Sequence, residues 1–272
     1  MRVTVCELPH ESGALAAAWA ALCEHTARDV SELVLLPEFA MVDPLWQDDR
    51  FDADRWAAAL TLGEVWRDRL HELRVPHVVG TRPVTIDGRR FNQGFLWSAS
   101  GDVVPLRRKF FLPDEPGSWE ARWFERGDPD FTEFHADAWS FGLNICTELW
   151  AVETFAGYAA RGVPIILSPR ATAAATTTKW LSAGVVAAVR SGAFCLSSNR
   201  VDPTGACGGV GWVISPYGDI LARTSAEAPF ATVDIDLSAS AAARSGYPCT
   251  VFNGSRSSAW MRLARSSRIS EP

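Results

Sequence analysis

The chain has 272 residues, 47% of them hydrophobic and 21% charged, and a formal net charge of −6. That length supports one sizeable α/β core, while the acidic balance and the lack of a basic stripe argue against a nucleic-acid surface. No apolar run is long enough to span a bilayer; the six cysteines form no C-x-x-C pair and the five histidines show no zinc spacing, so neither a metal centre nor a disulfide framework is expected.

The opening run Met1-Arg2-Val3-Thr4-Val5-Cys6 enters a strand at once and lacks the layout of a signal peptide, from which a reducing, cytoplasmic location is expected. An Ala-rich helix over 12–28 follows, with Leu15, Ala18, Trp19 and Leu22 at helical spacing. Further strands are read near 32–36, 75–80, 92–98, 102–109, 139–145, 163–168, 193–198, 209–214, 219–223 and 230–235, and helices near 54–73, 150–161 and 178–191. Asp87-Gly88, Ser100-Gly101-Asp102 and Tyr217-Gly218-Asp219 are hairpin signals. Together these predict an α/β domain with mixed rather than purely parallel sheets. The glycine-rich stretch 200–211 lacks a P-loop lysine and reads as a loop over a site mouth or a turn into the next strand. The tail from about 238, with Arg262, Arg265 and Arg268 among serines, reads as a solvated terminus.

Three segments carry chemistry. In Leu33-Val34-Leu35-Leu36-Pro37-Glu38, Pro37 ends a strand and leaves Glu38 at its tip, where α/β proteins commonly place catalytic groups. In Leu106-Arg107-Arg108-Lys109-Phe110, a basic triplet interrupts an apolar stretch, and alternation sends Arg108 and Lys109 to opposite faces, so that one is drawn inward. In Phe141-Gly142-Leu143-Asn144-Ile145-Cys146, a cysteine stands where a strand should turn into a helix; free N–H groups and the helix dipole there favour a thiolate. Read singly, each segment also fits a plainer account: a loop glutamate, a solvated basic edge, a buried core cysteine. Read together, a glutamate base, an ammonium and a thiol form an acyl-transfer set.

With Leu36-Pro37-Glu38, Arg108-Lys109-Phe110-Phe111-Leu112-Pro113 and Gly142-Leu143-Asn144-Ile145-Cys146 in this order, the chain resembles the nitrilase superfamily of carbon–nitrogen hydrolases. Glu153, seven residues after Cys146, the Ser168-Pro169 turn signal, Asn199-Arg200 and the hairpin 211–221 agree, although Trp212 stands where serine is usual. The resemblance covers roughly residues 2 to 237. It implies a four-layer α-β-β-α sandwich of two mixed sheets, in one domain over 1–272. It also implies Glu38, Lys109 and Cys146 as a catalytic triad, a small-molecule substrate, no cofactor, and a homodimer or higher homo-oligomer. The family's second glutamate falls on Glu120 in Ser118-Trp119-Glu120-Ala121-Arg122-Trp123-Phe124, with Glu115 and Glu125 as competitors. Its implied role is to hold Lys109 charged and help orient substrate or water.

The substrate side is read more coarsely. Arg170, after the neighbouring strand, is expected either to pair with a substrate carboxylate or to bridge Glu148 or Glu153. Trp119, Trp123 and Trp150 are candidates to wall a compact pocket. Thr147 supplies the N–H after the nucleophile, and Glu148 departs from the aspartate many members carry two residues past the cysteine. The form around Glu120 resembles the amidase and carbamoyl-amidase branches, which favours an amide over a nitrile; acyl transfer through the same thioester and a non-catalytic binding role are the other readings.

Overall fold

The structure, a computed structural model, describes residues 1–252; Arg262, Arg265 and Arg268 lie outside the described residues. In chain order the strands are β1 (Arg2–Leu8), β2 (Leu33–Leu35), β3 (His77–Ile86), β4 (Arg89–Ser98), β5 (Val103–Arg108) and β6 (Phe134–Ala136). They continue with β7 (Trp139–Leu143), β8 (Ile165–Arg170), β9 (Phe194–Arg200), β10 (Trp212–Ile214), β11 (Ile220–Arg223) and β12 (Phe230–Asp234). The helices are α1 (Ser12–Arg28), α2 (Ala53–Arg67), α3 (Glu120–Trp123), α4 (Glu153–Arg161), α5 (Thr177–Ser191), α6 (Ser238–Arg244) and α7 (Cys249–Phe252).

β1 organises the sheet. Its residues Val3–Val5 pair in parallel with β2, its opposite edge pairs antiparallel with β12 over Arg2–Cys6, and its last residues, Glu7 and Leu8, pair in parallel with β9. The strands therefore form one hydrogen-bonded path, β5-β4-β3-β2-β1-β9-β8-β7-β6, with β10, β11 and β12 beside it. The two expected mixed sheets are its two halves, joined where β1 changes partner. Strand alternation sets the layers. Leu33 and Leu35 share a core cluster with Leu143, Ile165, Leu167 and Leu196 from the other half. Val34 and Leu36 turn to Leu15, Trp19 and Leu22 of α1 and Trp66 of α2. Ile166 and Cys195 turn to Phe155 and Tyr158 of α4 and Ala183 and Ala187 of α5. Helices thus cover the outer face of each half.

Asp87 and Gly88 both take positive φ, 50° and 74°, between strands whose ends pair as Ile86 with Arg89, the two-residue turn that their sequence signals. Four readings change. The helical pattern over 54–73 resolves into α2 and a separate tight turn, Leu70–Leu73, whose leucines pack with Leu15, Trp19 and Leu22. The pattern from 150 becomes a 3-10 turn, Cys146–Trp150, with α4 starting only at Glu153. β6 has three residues, too few for a period to register. Ser168-Pro169 is not a turn: β8 runs on to Arg170, and Pro169 is tolerated because pairing with β7 ends at Leu143–Leu167. The start of the tail is also ordered by contacts: Ser240 donates to Gly192 O at 2.5 Å and Arg244 to Val163 O at 3.2 Å.

Candidate active site

Glu38 follows the end of β2. Pro37 has no N–H with which to extend the ladder, and the next peptide is tied across to the other half by Glu38 N–H donating to Arg170 O at 3.1 Å. Phe39 then adopts a left-handed conformation, φ 48°, with its N–H donating to Thr81 Oγ1 at 2.8 Å. The glutamate is held at the carboxyl end of a central strand and is buried.

Lys109 follows β5. Alternation places Arg107 and Lys109 on one face and Arg108 on the other. Arg108 reaches out to Asp128 at 2.6 Å, whereas Lys109 is fully buried. Lys109 Nζ donates to Glu38 Oε1 at 2.9 Å and to Glu120 Oε1 and Oε2 at 2.7 and 2.8 Å, which engages all three ammonium protons. Asn92 Nδ2 also donates to Glu38 Oε1, at 2.8 Å; among the described residues nothing donates to Glu38 Oε2. Of the competing glutamates, Glu115 is exposed and Glu125 pairs with Arg89. Arg122 pairs with Asp114 rather than with Glu120.

One ammonium between two carboxylates leaves the cluster one negative charge in excess. Burial pushes the Glu120 carboxyl up to about 7, against the pull of Lys109 and with the added repulsion of Glu38. Burial opposes the charge on Lys109 too, but Glu120 and Glu38 outweigh it and hold the ammonium above its ordinary range. The excess charge thus raises the proton affinity of Glu120, while Lys109 stays cationic.

Cys146 opens the 3-10 turn with φ 49°, a strained value for a residue with a Cβ. Its neighbours fix it. Glu148, fully buried, accepts from Ile145 N–H at 2.9 Å and Phe110 N–H at 2.7 Å, and pairs with Arg107. Asn144 Nδ2 donates to Glu148 O at 2.8 Å. The first hydrogen bond of the turn is Glu148 N–H to Ile145 O, which leaves Thr147 N–H ahead of it with no acceptor in the turn. The expected thiolate is corrected: burial, then the Glu38 charge, push the Cys146 thiol up, and Lys109 only partly offsets them. Ultraviolet titration should therefore give no thiolate step in the difference between wild type and Cys146→Ala from about pH 6 to about pH 9; a step in that window would reverse the assignment.

Two substrate-side readings are also corrected. Glu148 is a brace between the nucleophile turn and the lysine strand, with both oxygens occupied. Arg170 is fully buried; its nitrogens donate to Ser197 Oγ at 2.6 Å, Thr172 Oγ1 at 2.7 Å and Val210 O at 2.6 Å, and it lies 3.9 Å from the Trp212 ring centroid. It neither bridges Glu148 or Glu153 nor has a donor nitrogen left unengaged. Trp123 is core, packed with Phe39, Trp46 and Trp56. Trp119 precedes Glu120, with Arg122 lying over its ring. Thr147 and Trp150 line a cavity of about 210 Å³ together with Phe111, Ala151 and Glu153. A larger cavity of about 630 Å³ lies at Pro9, His10, Gln47 and Val201; neither cavity has Glu38, Lys109, Glu120 or Cys146 in its lining, and only the smaller one includes a residue adjacent to Cys146.

The sequence reading misses Asn92 and Arg107. Asn92 has a faint signal, a polar residue within the buried run of β4. Arg107 is one residue from the position that alternation singles out.

A family model described as carbon-nitrogen hydrolase matches residues 2–245. The chain belongs to the carbon-nitrogen hydrolase family. Its fold is similar to a carbon-nitrogen hydrolase from Helicobacter pylori G27, with TM-score 0.84 at 20% identity over 97% of this chain and 98% of that one. It is also similar to an amidase from Nesterenkonia sp., with TM-score 0.72 at 19% identity over 86% and 90%. A mutant of the Nesterenkonia sp. AN1 amidase, carrying the acetamide moiety of fluoroacetamide on its active-site cysteine, gives 0.76 at 18% over 97% and 96%. At these identities the likeness concerns the fold. In sequence, N-carbamoylputrescine amidases of Solanum lycopersicum and Oryza sativa subsp. japonica are each 31% identical over 81 residues, 30% of this chain and 27% of theirs.

Proposed function

We propose that this member of the family hydrolyses the carbon–nitrogen bond of a small amide or N-carbamoyl compound through a thioester on Cys146. The observation that carries the reading is the buried Glu38–Lys109–Glu120 network coupled electrostatically to a strained cysteine at a strand end. Buried charge is costly and is kept where it is used.

Glu38 takes the Cys146 proton as sulfur attacks the carbonyl carbon. A protonated Glu38 holds Lys109 less strongly, so the N–H that Lys109 gave to Glu38 Oε1 turns to the developing oxyanion, which Thr147 N–H also meets. Glu120 keeps the other donors, so the ammonium stays in place throughout. Glu38 then passes its proton to the departing nitrogen, and a water activated by Glu38 cleaves the thioester, giving the acid and restoring the thiol. The scheme needs no metal or cofactor.

The cavity beside Thr147 is the proposed substrate position, since Thr147 adjoins the nucleophile. Its aromatic walls, Phe111 and Trp150, suit a small substrate, and its one charged lining residue is Glu153. The names of the amidase relatives support an amide or carbamoyl group over a nitrile. We also assign the protein as at least a homodimer, supported by Trp150, Val152 and Val186, which are 46%, 52% and 49% exposed on the α4–α5 side.

The test is release of ammonia and acid from a panel of small amides, N-carbamoyl amines, N-carbamoyl amino acids and nitriles. Amides or carbamoyl amines should lead, and carboxylate-bearing members should trail because Arg170 is committed elsewhere. Turnover of nitriles alone would replace the amide reading, and products joined to an added amine in place of acid would make the protein an acyltransferase.

A further inference from the structure

Arg200 ends β9 and is fully buried, with no carboxylate paired to it among the described residues. It lies opposite Leu8 of β1, and β9 meets the end of β2 directly, where Ser198 Oγ donates to Leu35 O at 2.6 Å. From there its Nη1 donates to Phe39 O at 2.5 Å and Val42 O at 2.8 Å, the turn that directly follows Glu38. Nε and Nη2 are buried without an acceptor among the described residues.

As a purely stabilising group this arginine is a poor choice. A buried cation pays desolvation, and two unsatisfied donors add to the cost. The surroundings, with Phe39, Val42 and Trp46 in one apolar cluster, would accept an apolar side chain. What the guanidinium supplies is direction. Phe39 sits at φ 48°, a conformation an aromatic residue keeps only when its peptide groups are held. Thr81 holds the Phe39 N–H, the turn closes through Val42 N–H donating to Phe39 O at 3.2 Å, and Arg200 clamps the carbonyls of Phe39 and Val42.

We propose that Arg200 is a positioning residue for Glu38: it fixes the 39–42 turn so that one oxygen of Glu38 stays on Lys109 and Asn92 while the other is presented to the thiol. This rests on the reading of Glu38 as the general base. A base displaced by a fraction of an ångström loses rate rather than affinity, so the deficit belongs in kcat.

The experiment compares Arg200→Met, Arg200→Lys and Glu38→Gln with wild type on the best amide of the panel, each checked by thermal melting. Arg200→Met should lower kcat by about 100-fold with KM within about threefold of wild type, and Arg200→Lys should recover part of kcat. A folded Arg200→Met protein with wild-type kcat overturns the proposal. So does a loss confined to KM, or a loss that Arg200→Lys leaves unrecovered while both variants melt equally early. Should Arg200→Met not fold, Arg200→Lys decides alone: reduced kcat at unchanged KM supports positioning, and unchanged kcat removes it. Glu38→Gln separates the two claims. If it retains turnover, the base assignment itself fails; if it is inactive while Arg200→Met is fully active, only the positioning role fails.

Discussion

Cys146→Ala should lose at least about 10,000-fold in turnover while melting close to wild type. The scheme has one nucleophile, the Cys146 thiol. The small change in stability follows from the state of the thiol. Burial and the Glu38 charge keep it protonated, so its removal takes no charge from the Glu38–Lys109–Glu120 network and leaves a void of a single sulfur, on the order of 1 kcal/mol. The left-handed backbone at 146 is held from outside the residue, through Glu148 and Asn144, and should persist. Cys146→Ser should be as inactive, because a hydroxyl is a far weaker acid than a thiol and Glu38 has no comparable drive to deprotonate it. Ammonia release and a thermal melt on the same samples decide the matter. Substantial turnover by a folded Cys146→Ala protein would take the cysteine out of the mechanism.

The positions of Glu38, Lys109 and Cys146 are legible in the sequence because each interrupts or ends an apolar run, and a polar group that follows a buried strand at once has few places to go. The fold is legible for a related reason: the strands are short, apolar and separated by turn residues with specific φ demands, as at Asp87-Gly88. Partner choice is not local, and that is where the reading stops. Arg170 and Glu148 both look like substrate groups in sequence, yet Arg170 finds Ser197, Thr172 and Val210, up to 40 residues away, and Glu148 finds Arg107 and the Phe110 N–H. The expected thiolate fails similarly. A turn start and a helix dipole are readable from the chain, but the burial that outweighs them depends on how the two half-sheets close over the corner. Arg200 is the extreme case, since its contacts lie 161 and 158 residues away, at Phe39 and Val42.

Lys109→Met should cost both catalysis and stability, with the stability deficit growing as pH rises. The side chain keeps its length and most of its volume, so packing changes little; what goes is the cation that bridges Glu38 and Glu120. Breaking a buried pair in this way typically costs about 3–5 kcal/mol, and the missing oxyanion donor should take kcat down by on the order of 100- to 1,000-fold. The pH sign follows from the carboxyls. In wild type, Glu120 already titrates near about 7 against an ordinary 4.5. A carboxyl raised in the folded state contributes stability fully present below its unfolded value and lost as pH rises through its folded value. Without Lys109, which pulls Glu120 down, the carboxyl moves further up, so the variant goes on losing stability at pH values where wild type has levelled off. Lys109 itself, raised above its ordinary 10.5, stays charged across this range and contributes no slope. Denaturant unfolding of both proteins between about pH 5 and about pH 8 should therefore show the narrowest gap at the acid end and the widest above neutrality. A gap independent of pH would mean that the lysine stabilises the site by packing alone, and the charged network would then have to be abandoned as the reason it is buried there.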